Sequence, residues 1–251
     1  MSRPAVAVSP KSYSDLGLAG AIVLAWLASL ILLLSLNLHQ VPWWAVFTGI
    51  LVRTHLHTGL FIVGHDAMHR LLWRCRPRCN DLLGSAMLAL YAGLSYSSCR
   101  DHHCCHHQYP ATRHDPDFAA PERSGLLSWY GRFMAGYLNA AQMVGLLSTW
   151  GLLAILFRSV TATALLNVLV FCTLPLLLSS LQLFVFGTYL PHRRQRAPSH
   201  SEHPDSLDLP CWLSLLACFH FGYHREHHDN PGLAWWQLPA ARRRAISLTA
   251  T

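Results

Sequence analysis

LLGSAMLALYAGLSY, residues Leu82–Tyr96, is the stretch on which the fold turns. If it crosses a membrane, the segments on either side of it lie on opposite faces; if it dips and returns, they share one. As a helix it reaches only about 22 Å, short of the roughly 30 Å of hydrocarbon that a span must cover. It also lies between two histidine clusters, at His65–His69 and His103–His107. For both clusters to serve one site, the segment must come back to the side it left, as a re-entrant or interfacial helix.

Longer apolar runs flank it. Leu16–Leu38 and Val41–Gly64 are separated by a tight uncharged turn, and Tyr137–Phe157 is followed by Val160–Leu190, in which Pro175 predicts a kink. The expected architecture is an all-α integral membrane protein with four transmembrane helices, over about residues 16–38, 41–64, 137–157 and 160–190. The re-entrant segment occupies about 82–96, and a single domain covers 1–251. Composition agrees: the chain is 52% hydrophobic and 12% charged, where a soluble domain carries about a quarter charged residues.

The net charge of +7 reports topology, and no nucleic-acid partner is expected. Arg70, Arg74, Arg76, Arg78, Arg100, Arg113, Arg193, Arg194, Arg196 and Arg242–Arg244 all fall on the histidine side, whereas the opposite loops carry only Arg158. This positive-inside asymmetry predicts that the histidine clusters and both termini are cytoplasmic. Arg53, midway along the second span, should face the bundle interior or a wet cavity. The cysteines suggest reduced thiols, because no disulfide framework is visible and Cys75/Cys79 lack a second pair for zinc. The residues before Leu16 read as the lead into an anchor, since the apolar stretch is too long for a signal peptide.

The histidines carry the chemistry. His65 and His69 are spaced i, i+4; His103, His106 and His107 are i, i+3, i+4; His224, His227 and His228 repeat that spacing. On a helix each set points one way, and Cys104 and Cys105 point elsewhere. His220, one turn before His224, joins the same face on helical spacing, and His192 stands at the end of the fourth span. His39, His55, His57, His102, His114, His200 and His203 read as bystanders. So many imidazoles exceed a single tetrahedral ion, so two metals are expected; iron, copper and zinc all suit such ligands. Asp66 and Glu226 sit inside the clusters, where they could orient the rings by hydrogen bonds to the distal nitrogens or pair with nearby arginines.

HDAMH (65–69), HHQYPATRHDPDF (106–118), SLQLFVFGTYLPHR (180–193) and CFHFGYHREHHDNPGLAWWQLP (218–239) resemble the β-carotene ketolases, a group within the membrane di-iron oxygenases and desaturases. The similarity runs from about residue 55 to 239. It implies two iron ions, with dioxygen as co-substrate, held by His65, His69, His103, His106, His107, His192, His224, His227 and His228. His220 would be a further ligand or a group behind the ligands. It also implies a carotenoid substrate, taken from the lipid bilayer and oxidised at the 4-position of its β-ionone rings. No dinucleotide fingerprint is present, so electrons are expected from a separate donor such as reduced ferredoxin, drawn to the arginine-rich face. Two departures stand out: Arg70 replaces the glycine expected after HDAMH, and 197–210 match the family poorly. The competing readings are a carotenoid ring 3-hydroxylase, a fatty-acyl desaturase or hydroxylase, and, from another class, a metal-ion transporter.

Overall fold

The structure, a computed structural model, describes residues 12–110, 112, 114–118, 125–192 and 204–249. Arg113, Arg193, Arg194, Arg196, His200 and His203 lie outside the described residues, as does the segment before residue 12. Helices are the regular elements of the described residues: α1 Ser12–Leu34, α2 Trp43–Met68, α3 Pro77–Ala92, α4 Tyr96–Gln108, α5 Leu126–Tyr137 and α6 Ala140–Phe157. There follow α7 Ala164–His192, α8 Cys211–Cys218, α9 His224–Asp229 and α10 Leu238–Thr249. The helices α1, α2, α6 and α7 are long and apolar enough to cross a membrane.

Their ends differ from the expected ones for local reasons. Pro42 starts α2 just before Trp43, and the helix runs on to Met68, so His65 lies inside it and His69 caps it. Tyr137 belongs to α5, because Leu138 is extended and Asn139 begins α6 through a capping box with Gln142.

The deciding stretch straddles two helices. α3 starts beside the histidine cluster on α2, where Asn80 Nδ2 donates to the Ala67 carbonyl at 2.8 Å. It then runs down the bundle as far as His57, whose Nε2 donates to the Tyr91 carbonyl at 2.7 Å while Nδ1 accepts from Trp26. Gly93, at φ 66°, closes the helix in the left-handed conformation that glycine adopts without strain. The chain then turns by 100° into α4. Tyr96 Oη is back at the same Ala67 carbonyl, again at 2.8 Å. α2 continues for another 14 residues beyond His57 to Trp43, where α3 does not follow. The stretch runs down along α2 and turns back toward the end of α2 that carries His65 and His69.

Pro175 does not interrupt α7. A proline has no N–H for the carbonyl four residues earlier, and its ring crowds that group. The helix opens into a π-helical turn over Leu169–Thr173, and the freed Phe171 carbonyl accepts from Arg53 Nε at 3.1 Å. Arg53 Nη1 also binds the Trp26 carbonyl and Ser29 Oγ, and the guanidinium lies over the Trp26 ring. A side chain only 1% exposed at this depth is held by α1 and α7 together. A second π-helical turn, Phe184–Tyr189, precedes His192. Arg70 sits at φ 59°, the left-handed region, which explains why glycine is the expected residue there.

Candidate metal centre

The ends of α2, α4, α7 and α9 meet at one end of the bundle, and their imidazoles form two groups. In the first, ligand atoms of His65, His69, His103 and His227 lie within 4.8 Å of one another; in the second, so do those of His106, His192, His224 and His228. His107 joins the first group, with Nε2 at 3.0 Å from His103 Nε2 and 2.9 Å from His227 Nε2. Its ring is also stacked on His228 of the second, with centroids 4.2 Å apart. Every histidine to which the resemblance gives an iron-ligand role is therefore in this cluster, except His220.

The contacts are tip to tip. His69 and His103 approach Nε2 to Nε2 at 2.7 Å; His192 and His224, and His224 and His228, do so at 3.0 and 3.1 Å. A neutral imidazole has one donor and one acceptor, so rings whose same nitrogens converge on shared points cannot satisfy one another pairwise. Both ring nitrogens of buried His65 have no hydrogen-bond partner. Burial, reinforced by repulsion between the rings, keeps His103, His224, His227 and His228 well below the ordinary histidine range, and burial brings His69 to about 4. Neutral rings with lone pairs aimed inward are a donor set that can hold transition-metal ions in two groups, iron among the ions that suit it.

His106 is the exception. Burial opposes its charge, yet its Nδ1 donates to both Asp115 oxygens, at 2.9 and 3.0 Å, and this carboxylate lifts the ring above the usual range. The bond fixes the tautomer and leaves Nε2 facing the cluster. Asp115 in turn accepts from the Asp117 N–H, and Asp117 takes the Tyr137 hydroxyl on both oxygens at 3.0 Å.

Three expectations need correction. His220 is not on the helical face of His224: Phe219 and His220 are left-handed, at φ 46° and 63°, and α9 begins only at His224. Its ring stacks on Tyr223 and Trp235 outside both groups. Glu226 orients no imidazole; it accepts from Ser206 Oγ and pairs with Arg242 Nη1 at 3.2 Å. Asp66 lies 3.5 Å from His65 Nδ1, too far for a good hydrogen bond, and accepts from the Trp235 N–H, tying the C-terminal segment to α2. The carboxylate that does orient a ring is Asp115, which the sequence reading missed. It stands in HDPDF beyond the end of α4, where helical periodicity cannot place it. Of the described bystanders, His57 is hydrogen-bonded inside the bundle and His55 stacks on Phe219.

A small chamber of about 30 Å³ opens over both groups, bordered by Asp117, Thr188 and Phe221. Beside it lies an apolar cavity of about 190 Å³, with Phe61, Phe133, Tyr137 and Leu183 lining both. The chamber has room for a molecule or two of water size.

Residues 42–249 match the fatty acid desaturase family model. Proteins named beta-carotene ketolase from two Paracoccus strains are each 39% identical, over 96% of this chain and 98% of the first, and over 91% and 92% for the second. A zeaxanthin 4-ketolase of Chlamydomonas reinhardtii is 32% identical over 92% of this chain and 54% of its own length. The chain belongs to the fatty acid desaturase family and, within it, to the beta-carotene ketolases.

Proposed function

We propose that the chain introduces a keto group at the 4-position of β-ionone rings, converting β-carotene to echinenone and canthaxanthin. The observation that carries this is the two-group histidine cluster with a narrow chamber over it and an apolar cavity alongside. His65, His69, His103, His107 and His227 would hold one iron, and His106, His192, His224 and His228 the other. With dioxygen, such a pair supplies the oxidising power that a C–H bond beside a ring double bond demands, beyond the reach of side-chain acids and bases. In balance, the ring methylene is hydroxylated twice at one carbon, each time consuming one dioxygen, two electrons and two protons and releasing the second oxygen atom as water, and the geminal diol then loses water to give the ketone. The chain's own part is to place the ring. The apolar cavity takes the conjugated chain from the lipid, and Phe61, Phe133, Tyr137 and Leu183 let only a ring edge through. Asp117 fixes the Tyr137 hydroxyl at the wall of the chamber, and Asp115 fixes His106.

Electrons would come from a soluble donor such as reduced ferredoxin, attracted to the arginine-rich face. That face is proposed to be cytoplasmic, on the charge asymmetry. Cys75 and Cys104, exposed on either side of the α3 hairpin, are natural reporters. A membrane-impermeant thiol reagent should modify both from the cytoplasmic side only, and labelling of either from the other side would refute this topology.

The direct test is expression in a β-carotene-producing bacterium, with pigment analysis and metal content of the purified protein. Echinenone and canthaxanthin should accumulate, and about two irons per chain should be bound. Zeaxanthin alone would favour the 3-hydroxylase, unchanged β-carotene would remove the ketolase reading, and an active preparation holding only zinc would exclude iron.

A further inference from the structure

Besides imidazoles and apolar side chains, the chamber over the histidines is bordered by Asp117, Tyr137, Thr188 and Cys99. Asp117 is buried, and among the described residues it forms no ion pair. A carboxylate taken out of water without a cation is costly, so its place calls for a reason. The backbone pins it there. Its N–H donates to Asp115 Oδ1 at 2.9 Å, and its carbonyl accepts from Trp129 Nε1 at 2.8 Å. Trp129 in turn packs edge-on against Phe184 and Tyr189.

The side chain has bonding capacity to spare. Tyr137 Oη stands 3.0 Å from each Asp117 oxygen, but a phenol has a single hydrogen to give. A carboxylate offers about four lone-pair sites. With the phenol hydrogen turned to Asp117, the pair presents acceptors to the chamber. An Asp117 oxygen also lies within 4.8 Å of a His106 ring nitrogen, which puts this acceptor next to the second histidine group.

We propose that Asp117 grips the half-oxidised ring: it accepts the hydrogen of the hydroxyl that the first oxidation installs, and keeps that ring in the chamber for the second. The inference rests on the ketolase reading. The starting methylene has no hydrogen-bond donor, and the final ketone has only an acceptor. The alcohol alone can donate to this wall, so an acceptor wall holds the middle species and lets the last one go. Thr188 does not discriminate in this way, because a hydroxyl both donates and accepts, and the Cys99 thiol is a weak acceptor. In the second oxidation the remaining hydrogen on that carbon is replaced by hydroxyl. One dioxygen, two electrons and two protons are consumed and one water is released, after which the geminal diol sheds water.

Asp117→Asn keeps the size of the side chain and a bond to Tyr137 but exchanges one acceptor oxygen for a donor. With the iron-loaded full chain, kcat and KM are measured for β-carotene and for 4,4′-dihydroxy-β-carotene, whose two ends are alike. In the variant, kcat/KM for the dihydroxy substrate relative to β-carotene should fall about tenfold or more. Free 4-hydroxy carotenoid should also accumulate from β-carotene at the expense of ketone. An equal loss on both substrates at unchanged iron content, or an unaltered ratio of alcohol to ketone, would overturn the grip. Should Asp117→Asn fail to accumulate or to load iron, competition in the wild type decides. There the dihydroxy compound should compete with β-carotene about tenfold more strongly than canthaxanthin does, and equal competition would refute the proposal. A wild-type chain that ketolates neither substrate would remove the ketolase reading itself.

Discussion

His103→Ala should abolish ketone formation, by more than about 100-fold, and lower bound iron. The imidazole of His103 is central to the first group: its Nε2 meets those of His69 and His107, and its ring lies 4.4 Å, between centroids, from His65. Removing it opens the cradle at the point where most rings converge. Asp115→Asn gives the informative contrast. It leaves every imidazole in place but weakens the bond that fixes His106, and a loss of about 10–100-fold is expected with most iron retained. Pigment analysis and metal content, measured on both variants, separate the two roles. A His103→Ala protein with full activity and two irons would refute the assignment of the cluster.

Gly84→Ala should be the most damaging small change outside the cluster. A Cβ at residue 84 would stand 2.4 Å from the Tyr96 ring and 2.7 Å from the Ala67 Cβ. Neither neighbour can yield easily, because the Tyr96 hydroxyl is held by the Ala67 carbonyl and by Asp81. Overpacking of this kind costs about 1–3 kcal/mol, and more where backbone must move. Ala67 lies between His65 and His69, so the displacement should lower activity as well as stability. Thermal unfolding in detergent measures the first and ketone formation the second. Wild-type values for both would show that Tyr96 swings aside freely.

Much of this arrangement is legible from spacing. His103, His106 and His107 share a helical face because α4 is a regular helix through all three, and the shortness of Leu82–Tyr96 is enough to require its return. What was illegible depends on non-helical backbone or on distant partners. His220 falls outside the cluster because Phe219 and His220 adopt left-handed conformations, which no helical period foresees. Asp115 reaches His106 from a loop. Arg53 could be recognised as out of place in a span, but its partner is a carbonyl released by Pro175, 122 residues further along. Glu226 has the right neighbours in sequence and points the other way, toward Ser206 and Arg242.

The narrowness of the chamber over the histidines also bears on the order of events in time. A chamber of about 30 Å³ admits no more than the edge of one ring, and a stiff rod about as long as the hydrocarbon layer is thick cannot turn end for end within the helix bundle. A symmetric substrate with two identical rings would have to leave after the first is oxidised, reverse in the lipid and bind again. Ketolation of the two ends is then distributive: the mono-ketone is released as a free species, and its share of the product depends on how it competes with fresh β-carotene for re-entry.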